Sequence, residues 1–239
     1  SFKDLIFQED IHSYTLNGQN LTSATIYIQR FHSKFDGWNV AANMIKSLNK
    51  DKTTSKEFTT EYLIYRWKAQ NEVSTTNGTR IHGFLEYNFP DFTEEPACRQ
   101  EAGGIEFFRN LDPKYKVLFL ELRMYHEEFG LAGTSDCILL NTETGKLIVV
   151  DHKSNQKNLL QFYKDKTLLF PFEGLFQTAL NEYSLQLSLY KILLEQATSY
   201  EVEALWVIHL SDGDWTKLDY SKRDNQHSHK YKVDRVIPN

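Results

Sequence analysis

The stretch GLAGTSDCILLNTETGKLIVVDHKS, residues 130–154, places charged side chains inside two segments that otherwise have the composition of buried strands. The run NTETGK at 141–146 is a turn signal between these apolar segments, so the stretch predicts a β-hairpin. A charge inside a buried strand is destabilising unless it is paired or coordinated. The fold must therefore provide partners for Asp136, Asp151 and Lys153.

The register of the predicted hairpin brings these three residues together. A turn centred between Glu143 and Thr144 pairs Asp136 with Asp151, for the shorter and the longer common loop lengths alike. Opposed residues share one face of a sheet, with Cβ atoms about 4.5–5.5 Å apart, and the strand period adds Lys153 to that face. Two facing carboxylates repel each other, which favours a divalent cation, Mg²⁺ or Mn²⁺, between them. The alternative is a structural salt bridge between Lys153 and one or both aspartates.

The composition limits the function classes. The 239 residues are 41% hydrophobic and 14% aromatic, which predicts one packed globular domain. A net charge of −5 argues against a basic nucleic-acid coating protein, although a local groove and a bound metal can supply positive potential to an enzyme. Two cysteines, Cys98 and Cys137, exclude a four-thiolate zinc or iron–sulfur site, and Cys137 is expected to be buried in its strand. No apolar run reaches the length of a membrane span and SFKDLIFQED has no signal-peptide pattern, so we expect an intracellular, cytoplasmic protein without a membrane partner.

The periodicity along the chain predicts an α/β fold, in which a central mixed β-sheet is flanked by helices. The turn signal Asn17-Gly18 predicts an N-terminal hairpin over 14–28. A helical pattern follows from Asp36 to Tyr87, as two amphipathic segments separated by a break at TTNGT, and residues 90–104 form a loop leading into another helix. The later elements are strands at 116–127, 131–140 and 146–154, a helix at 175–197 and a strand at 202–210.

These elements predict a single domain with three parts. Residues 1–75 are the hairpin and helical elaboration, residues 76–215 are the core, and residues 216–239 are a basic C-terminal segment. The basic cluster KRDNQHSHKYKVDR at 222–235 is expected to be a solvated tail, with phosphate contact as the alternative.

Four motifs in order resemble those of one nuclease family. GLAGTSD, followed after 14 residues by DHK, is similar to the active-site signature of the PD-(D/E)XK nuclease superfamily in its RecB-like exonuclease branch. NGTRIHGFLEY (77–87) resembles the upstream helix of that branch, YSLQLSLYKILLE (183–195) its Gln-x-x-x-Tyr helix, and FLELRMYHE its leading strand. The likeness runs from about Asn77 to Leu210. The opening IHSYTLNGQNLTSATIYIQRF also resembles the N-terminal hairpin of phage exonucleases and of the mitochondrial genome maintenance exonuclease group. The family implies a restriction-endonuclease-like nuclease core.

The resemblance implies a metal site. Asp136 and Asp151 would be metal ligands, His82 a third ligand with Glu86 orienting it, and the backbone carbonyl of His152 a fourth. The side chain of His152, which stands where many relatives have an aromatic or aliphatic residue, would point to the opposite face. The alternatives are an ion-pair network for the aspartates and an exposed pair for His82 and Glu86.

The resemblance also implies roles beside the metal. Lys153 would orient or help to deprotonate the attacking water and stabilise the developing charge. Gln186 would hydrogen-bond the lysine region or a substrate phosphate with support from Tyr190, and Glu121 would tune Lys153 or a second metal. The alternatives are a core position on an amphipathic helix for Gln186 and Tyr190, and an exposed strand position for Glu121.

The sequence as a whole predicts an enzyme that hydrolyses phosphodiester bonds with Mg²⁺ or Mn²⁺. By resemblance it is a DNA exonuclease that favours ends with single-stranded character, in recombination, repair or replication, with a phage or other viral source among the settings. The cysteine cluster that binds iron–sulfur in some RecB-like relatives is absent from this sequence, so we expect no such cluster. The resemblance fixes neither polarity nor oligomeric state. The alternatives are a metal-dependent endonuclease like the cap-snatching nucleases of segmented RNA viruses, and a nuclease-fold DNA-binding module without activity. A glycosidase built on the two aspartates is disfavoured.

Overall fold

The computed structural model describes residues 5–8, 13–50, 58–155, 159, 166–211, 214–219 and 233–234. The chain divides into two compact units, one of Ser1–His32 with Ile81–Asn239 and the other of Ser33–Arg80. The basic cluster predicted at 222–235 lies outside the described residues except for the backbone of 233–234. Within the described helices, none is long and apolar enough to cross a membrane.

Nine strands of the described chain form one sheet, and its mixed character is the one that the sequence predicted. The order across the sheet is β1-β2-β3-β5-β6-β7-β8-β9, and β4 pairs with β5. The pairs β3–β5 and β6–β7 are parallel, and the other pairs are antiparallel. The strands are β1 Leu5–Gln8, β2 Ser13–Leu16, β3 Gln19–Ser23, β4 Tyr115–His126, β5 Leu131–Asn141, β6 Leu147–Lys153, β7 Val202–Ser211, β8 Asp214–Asp219 and β9 Val233–Asp234.

Five helices occur among the described residues: α1 Ala24–Gln29, α2 Gly37–Leu48, α3 Thr60–Asn88, α4 Arg99–Arg109 and α5 Ala179–Ala197. The strand predicted to continue to residue 28 was wrong in its second half, because α1 begins at Ala24. Ser23 caps this helix, since its hydroxyl accepts a hydrogen bond from the amide of Ile26 at 3.2 Å. Serine at this position satisfies an amide that the first helical turn leaves unpaired.

The helix break predicted at TTNGT was also wrong. Helix α3 continues through residues 75–79 without interruption. A single glycine inside a helix costs only about 1 kcal/mol relative to alanine, so the turn signal at Asn77-Gly78 is weaker than the helical hydrogen bonding on both sides of it.

The sheet carries apolar residues on both faces of its central strands. On one face, α5 packs Leu180, Leu187 and Leu194 against Ile138 and Val149. On the other face, α4 and the C-terminal end of α3 cover alternate residues of the same strands, namely Cys137, Leu139, Ile148, Val150 and Ile208. A strand buried on both faces has an almost continuous hydrophobic sequence, which explains the runs CILL and LIVV.

Gly133 provides a test of how tightly α5 is packed on the sheet. A Cβ atom at this position would overlap the aromatic ring of Tyr190 on α5. We expect Gly133→Ala to lower the free energy of unfolding by about 1–3 kcal/mol, because a buried ring in a close-packed core has little room to move. Urea denaturation measures this change.

Gly174→Ala is the matched control, since no atom of the described residues lies within 4 Å of a Cβ atom there. Its unfolding free energy should stay within about 0.5 kcal/mol of that of the wild type. Equal stability of the two variants would contradict the close contact.

Candidate metal centre

In both β4 and β5, the alternation of side chains between the two faces of the sheet is interrupted at one opposed pair, Glu121 and Asp136. Leu122 packs on the α5 side of the sheet and Leu120 on the α4 side, although regular alternation would place both on the same side. On β5, Leu131 and Ile138 lie on the same side despite an odd separation along the strand.

The backbone at Glu121 makes this reversal possible. Its φ angle is +48°, in the left-handed region that residues other than glycine seldom adopt. The register is the same on both sides of it, with Leu122 opposite Ser135 and Leu120 opposite Cys137. The two acidic side chains are thereby turned out of the normal alternation while the strands stay paired. Such strain is found preferentially at functional sites.

Along the edge of β5 that does not pair with β4, the strand pairing has a gap. The rest of the site lies in this gap. Strand β3 pairs with this edge at Leu131 and Ala132, and β6 pairs with it from Cys137 to Leu140. The predicted register between β5 and β6 is confirmed for these four pairs, but the ladder ends one pair before Asp136 and Asp151.

Side chains replace the missing ladder bonds in this gap. The hydroxyl of Ser135 donates to the carbonyl of Val150 at 3.2 Å, and the carboxylate of Asp136 accepts from the amide of His152 at 2.5 Å. Buried backbone groups need such partners when a strand pair separates. The Asp136 carboxylate is held between the two strands as a result.

Asp136 forms a cluster with one residue from α3 and one from β4. His82 Nδ1 lies 3.3 Å from Asp136 Oδ1 and 3.5 Å from Glu121 Oε1. Among the described residues, these three could hold a metal ion, because their ligand atoms all lie within 4.8 Å of one another. A cavity of about 10 Å³ lies between them, close to the space that one water molecule occupies. Carboxylate oxygens with one imidazole suit a divalent cation such as Mn²⁺ or Mg²⁺.

The electrostatics of this cluster are those of two acids around one base. Burial disfavours the charged form of His82, but Asp136 and Glu121 outweigh burial and raise the pKa of the imidazole to about 10. Burial likewise opposes the charge on Asp136, and the nearby His82 holds its pKa well below the usual range. Burial raises the pKa of Glu121 to about 7, despite its contact with His82. The protonated imidazole therefore occupies the place of a cation between the carboxylates.

Asp151 and Lys153 form a separate pair on the α5 side of β6. Lys153 Nζ lies 2.8 Å from Asp151 Oδ2 and 4.7 Å from the centre of the Tyr183 ring. Burial raises the pKa of Asp151 to about 6, and Lys153 opposes this rise. Burial lowers the pKa of Lys153, but Asp151 and Asp136 outweigh it, so that the ammonium stays charged. The lysine is thus held between a carboxylate and an aromatic face.

The sequence did not identify Tyr183. Its hydroxyl accepts a hydrogen bond from Asn155 Nδ2 at 3.2 Å, and His209 Nε2 lies 2.7 Å from the backbone carbonyl oxygen of Asn155. A signal was present in the sequence, because Tyr183 lies three residues before Gln186 and so shares its side of α5. An aromatic residue in an amphipathic helix is usually part of the core, which hides this role.

His152 lies on the opposite face from Asp151. Its buried ring packs against Phe107 and Phe108, with ring centres 5.4 Å and 5.7 Å away, and it meets the His82 ring edge-on at 6.4 Å. Burial lowers the pKa of His152 to about 4, which keeps the imidazole neutral. The side chain is therefore a wall of the site, with its Nδ1 3.8 Å from Asp136 Oδ2, and the backbone amide donates the hydrogen bond to that oxygen.

Gln186 and Tyr190 contact each other on α5. Gln186 Nε2 donates to the Tyr190 hydroxyl at 2.7 Å and to Thr25 Oγ1 at 3.3 Å. Tyr190 is buried against Gly133, and burial raises the pKa of its hydroxyl.

The structure therefore separates the predicted metal ligands from the predicted aspartate–lysine pair. His82, Glu121 and Asp136 share the possible metal position, Asp151 pairs with Lys153, and Glu86 lines the cavity beside His82. No protein-family model and no curated protein matches this chain.

Metal binding at this cluster should compete with protons. His82 is protonated in the metal-free protein below about pH 10 and must lose that proton to become a ligand. Between about pH 6 and pH 8, Glu121 also passes through its pKa of about 7. We therefore expect Mn²⁺ affinity to rise with pH, by about tenfold per pH unit for each proton released.

Calorimetric titration in two buffers of different ionisation enthalpy counts the protons released. His82→Gln should bind Mn²⁺ more weakly and release about one proton fewer. Equal affinity for Mn²⁺ at both ends of this pH range would contradict ligation by His82.

Proposed function

We propose that this protein is a metal-dependent nuclease of the PD-(D/E)XK type that hydrolyses phosphodiester bonds in DNA. The observation that carries the proposal is the gap between β3 and β6 on the edge of β5. There a His–Glu–Asp group with metal-ligand spacing adjoins a buried aspartate–lysine pair. Ionisable groups whose pKa values are strongly shifted by burial and by a charged partner cluster at functional sites.

Each residue has a chemical role in this proposal. A divalent cation bound by His82, Glu121 and Asp136 would supply Lewis acidity and a nucleophile at neutral pH. The ammonium of Lys153 carries a positive charge next to this position, where it can donate a hydrogen bond to a phosphate oxygen and stabilise the charge that develops in the transition state. Asp151 holds the ammonium at 2.8 Å and fixes its direction.

In this proposal Glu121 is a metal ligand, whereas the sequence predicted only that it tunes Lys153 or a second metal. It lies within reach of the same ligand position as His82 and Asp136, whereas Asp151 is occupied by Lys153. Asp151 is not part of the group whose ligand atoms lie within 4.8 Å of one another, and its Oδ2 faces the ammonium of Lys153. The alternative that Glu121 is an exposed strand residue does not fit its partly buried side chain, which lies 3.5 Å from His82.

An exonuclease that acts on ends with single-stranded character is the activity we propose, from the resemblance of the four motifs. It takes part in recombination, repair or replication inside the cell. A metal-dependent endonuclease and an inactive DNA-binding module are outcomes that the following experiment separates.

The experiment compares linear and circular single-stranded DNA in the presence of Mg²⁺, Mn²⁺ or EDTA. We expect metal-dependent loss of the linear strand alone. Lys153→Ala should lower the rate by at least about 10²–10³-fold, because it removes the cation beside the phosphate.

Lys146→Ala is the matched control on the same hairpin. Its ammonium makes an exposed ion pair with Glu201 at 2.9 Å, and such pairs contribute little to stability. Its rate should equal that of the wild type. Cleavage of circles would indicate an endonuclease, and binding of DNA without any cleavage would indicate a binding module.

Tyr183 gives a second test of the same chemistry. Tyr183→Leu removes the ring beneath Lys153 and should lower kcat about tenfold, which corresponds to a cation–π contribution of order 1–2 kcal/mol. Tyr183→Phe keeps the ring, loses only the hydrogen bond from Asn155, and should retain most of kcat. Equal losses in the two variants would show that the hydroxyl, and not the ring, positions the lysine.

A further inference from the structure

We propose that Arg123, together with Tyr14 and Thr134, forms a phosphate-binding subsite that holds the DNA backbone next to the phosphate that is cleaved. The inference rests on the proposed nuclease function. It assigns a role to Arg123, which lies in the segment FLELRMYHE but has no part in the metal cluster.

Arg123 lies close to the metal centre in the sheet. Arg123 on β4 is paired directly with Thr134 on β5. Two positions further along the same strands lie Glu121 and Asp136, at a distance of about 7 Å along the strand. Arg123 is therefore the basic side chain of β4 nearest in register to the metal centre.

Arg123 also lies on the same face of the sheet as the metal centre. Tyr125 and Ala132 pack with Tyr14, on the face of the sheet opposite to α5. By strand alternation, Arg123 and Thr134 lie on this same face. After the reversal at Glu121, Leu120 and Cys137 also lie on the face opposite to α5, where His82 and His152 border the site. The arginine and the metal centre thus share one surface of the sheet.

The surroundings of Arg123 are aromatic. Its side chain is exposed, and its guanidinium carbon lies 5.4 Å from the centre of the Phe7 ring, which in turn packs on Tyr14 at 4.7 Å. Among the residues that the structure describes, no carboxylate forms an ion pair with this guanidinium. A planar cation supported on an aromatic face, with its donors free of described acids, is suited to a phosphate.

Two hydroxyl groups complete the subsite. The Tyr14 hydroxyl and Thr134 Oγ1 lie 2.8 Å apart, in a hydrogen bond that joins β2 to β5 beside Asp136. Each hydroxyl can donate or accept, so the pair can present a donor to a phosphate oxygen. A phosphodiester is the ligand that fits, because the planar guanidinium can donate two parallel hydrogen bonds to phosphate oxygens and the hydroxyl pair can donate another.

The test measures binding of a single-stranded oligonucleotide at several KCl concentrations in EDTA, and then kinetics with Mn²⁺. Arg123→Ala should raise the Kd about tenfold and reduce the slope of log K against log salt by about 0.7, the value for one phosphate contact on a single strand. Its KM should rise more than its kcat falls. Arg123→Lys keeps the charge and should restore the slope but only part of the affinity.

Lys116→Ala is the matched control, because Lys116 is an exposed basic residue of the same strand, opposite Leu140 and away from the metal centre. An equal loss of affinity in Lys116→Ala would overturn the subsite in favour of a diffuse charge effect. If the wild type cleaves DNA while Arg123→Ala keeps its Kd, salt slope and KM, the subsite is wrong and the nuclease stands. If the wild type binds DNA through Arg123 without cleaving it, the nuclease is wrong and the subsite stands. If it does neither, both are wrong.

Discussion

The separation of β6 from β5 beyond Cys137 is the constraint on which the rest of the site depends. At that point backbone groups lose their ladder partners inside a buried sheet, and Ser135 and Asp136 replace those partners with their side chains. The carboxylate that fills the gap is also the one that meets His82 and Glu121. The Asp136 carboxylate therefore does two things at once: it pairs with a backbone amide that has lost its strand partner, and it forms part of the ion-binding position.

The charges around this gap are balanced by neighbouring charges of opposite sign and not by solvent. Three carboxylates, Asp136, Glu121 and Asp151, face two bases, His82 and Lys153. Burial raises the pKa of Glu121 and Asp151, and the neighbouring bases counteract the rise. In the metal-free protein the imidazolium of His82 takes the position of a cation, which keeps the acidic residues of the core together. A metal ion bound there would replace the proton of His82. One positive charge between the carboxylates would then be exchanged for another, and no further negative charge would be buried.

Helix α5 connects the core to the site. Its leucines pack on the sheet, and the side that bears Tyr183, Gln186 and Tyr190 runs from Lys153 to Thr25 of α1. The close approach at Gly133 makes this placement possible. A change in the packing of α5 would therefore move the ring beneath Lys153, which links stability of the core to the chemistry proposed for the site.

The sequence determined the mixed α/β sheet, the hairpin register of β5 and β6, the burial of Cys137 and the identity of the charged residues, because periodicity and turn residues are local signals. It did not predict that α1 begins at Ala24 or that α3 continues through TTNGT, since capping and tertiary packing override single-residue preferences. Only the tertiary structure decided that Glu121 joins His82 and Asp136 while Asp151 pairs with Lys153. Regular alternation places the residues of a strand, whereas the reversal at Glu121 and the gap between β3 and β6 arise from how separate strands meet, which no local pattern encodes.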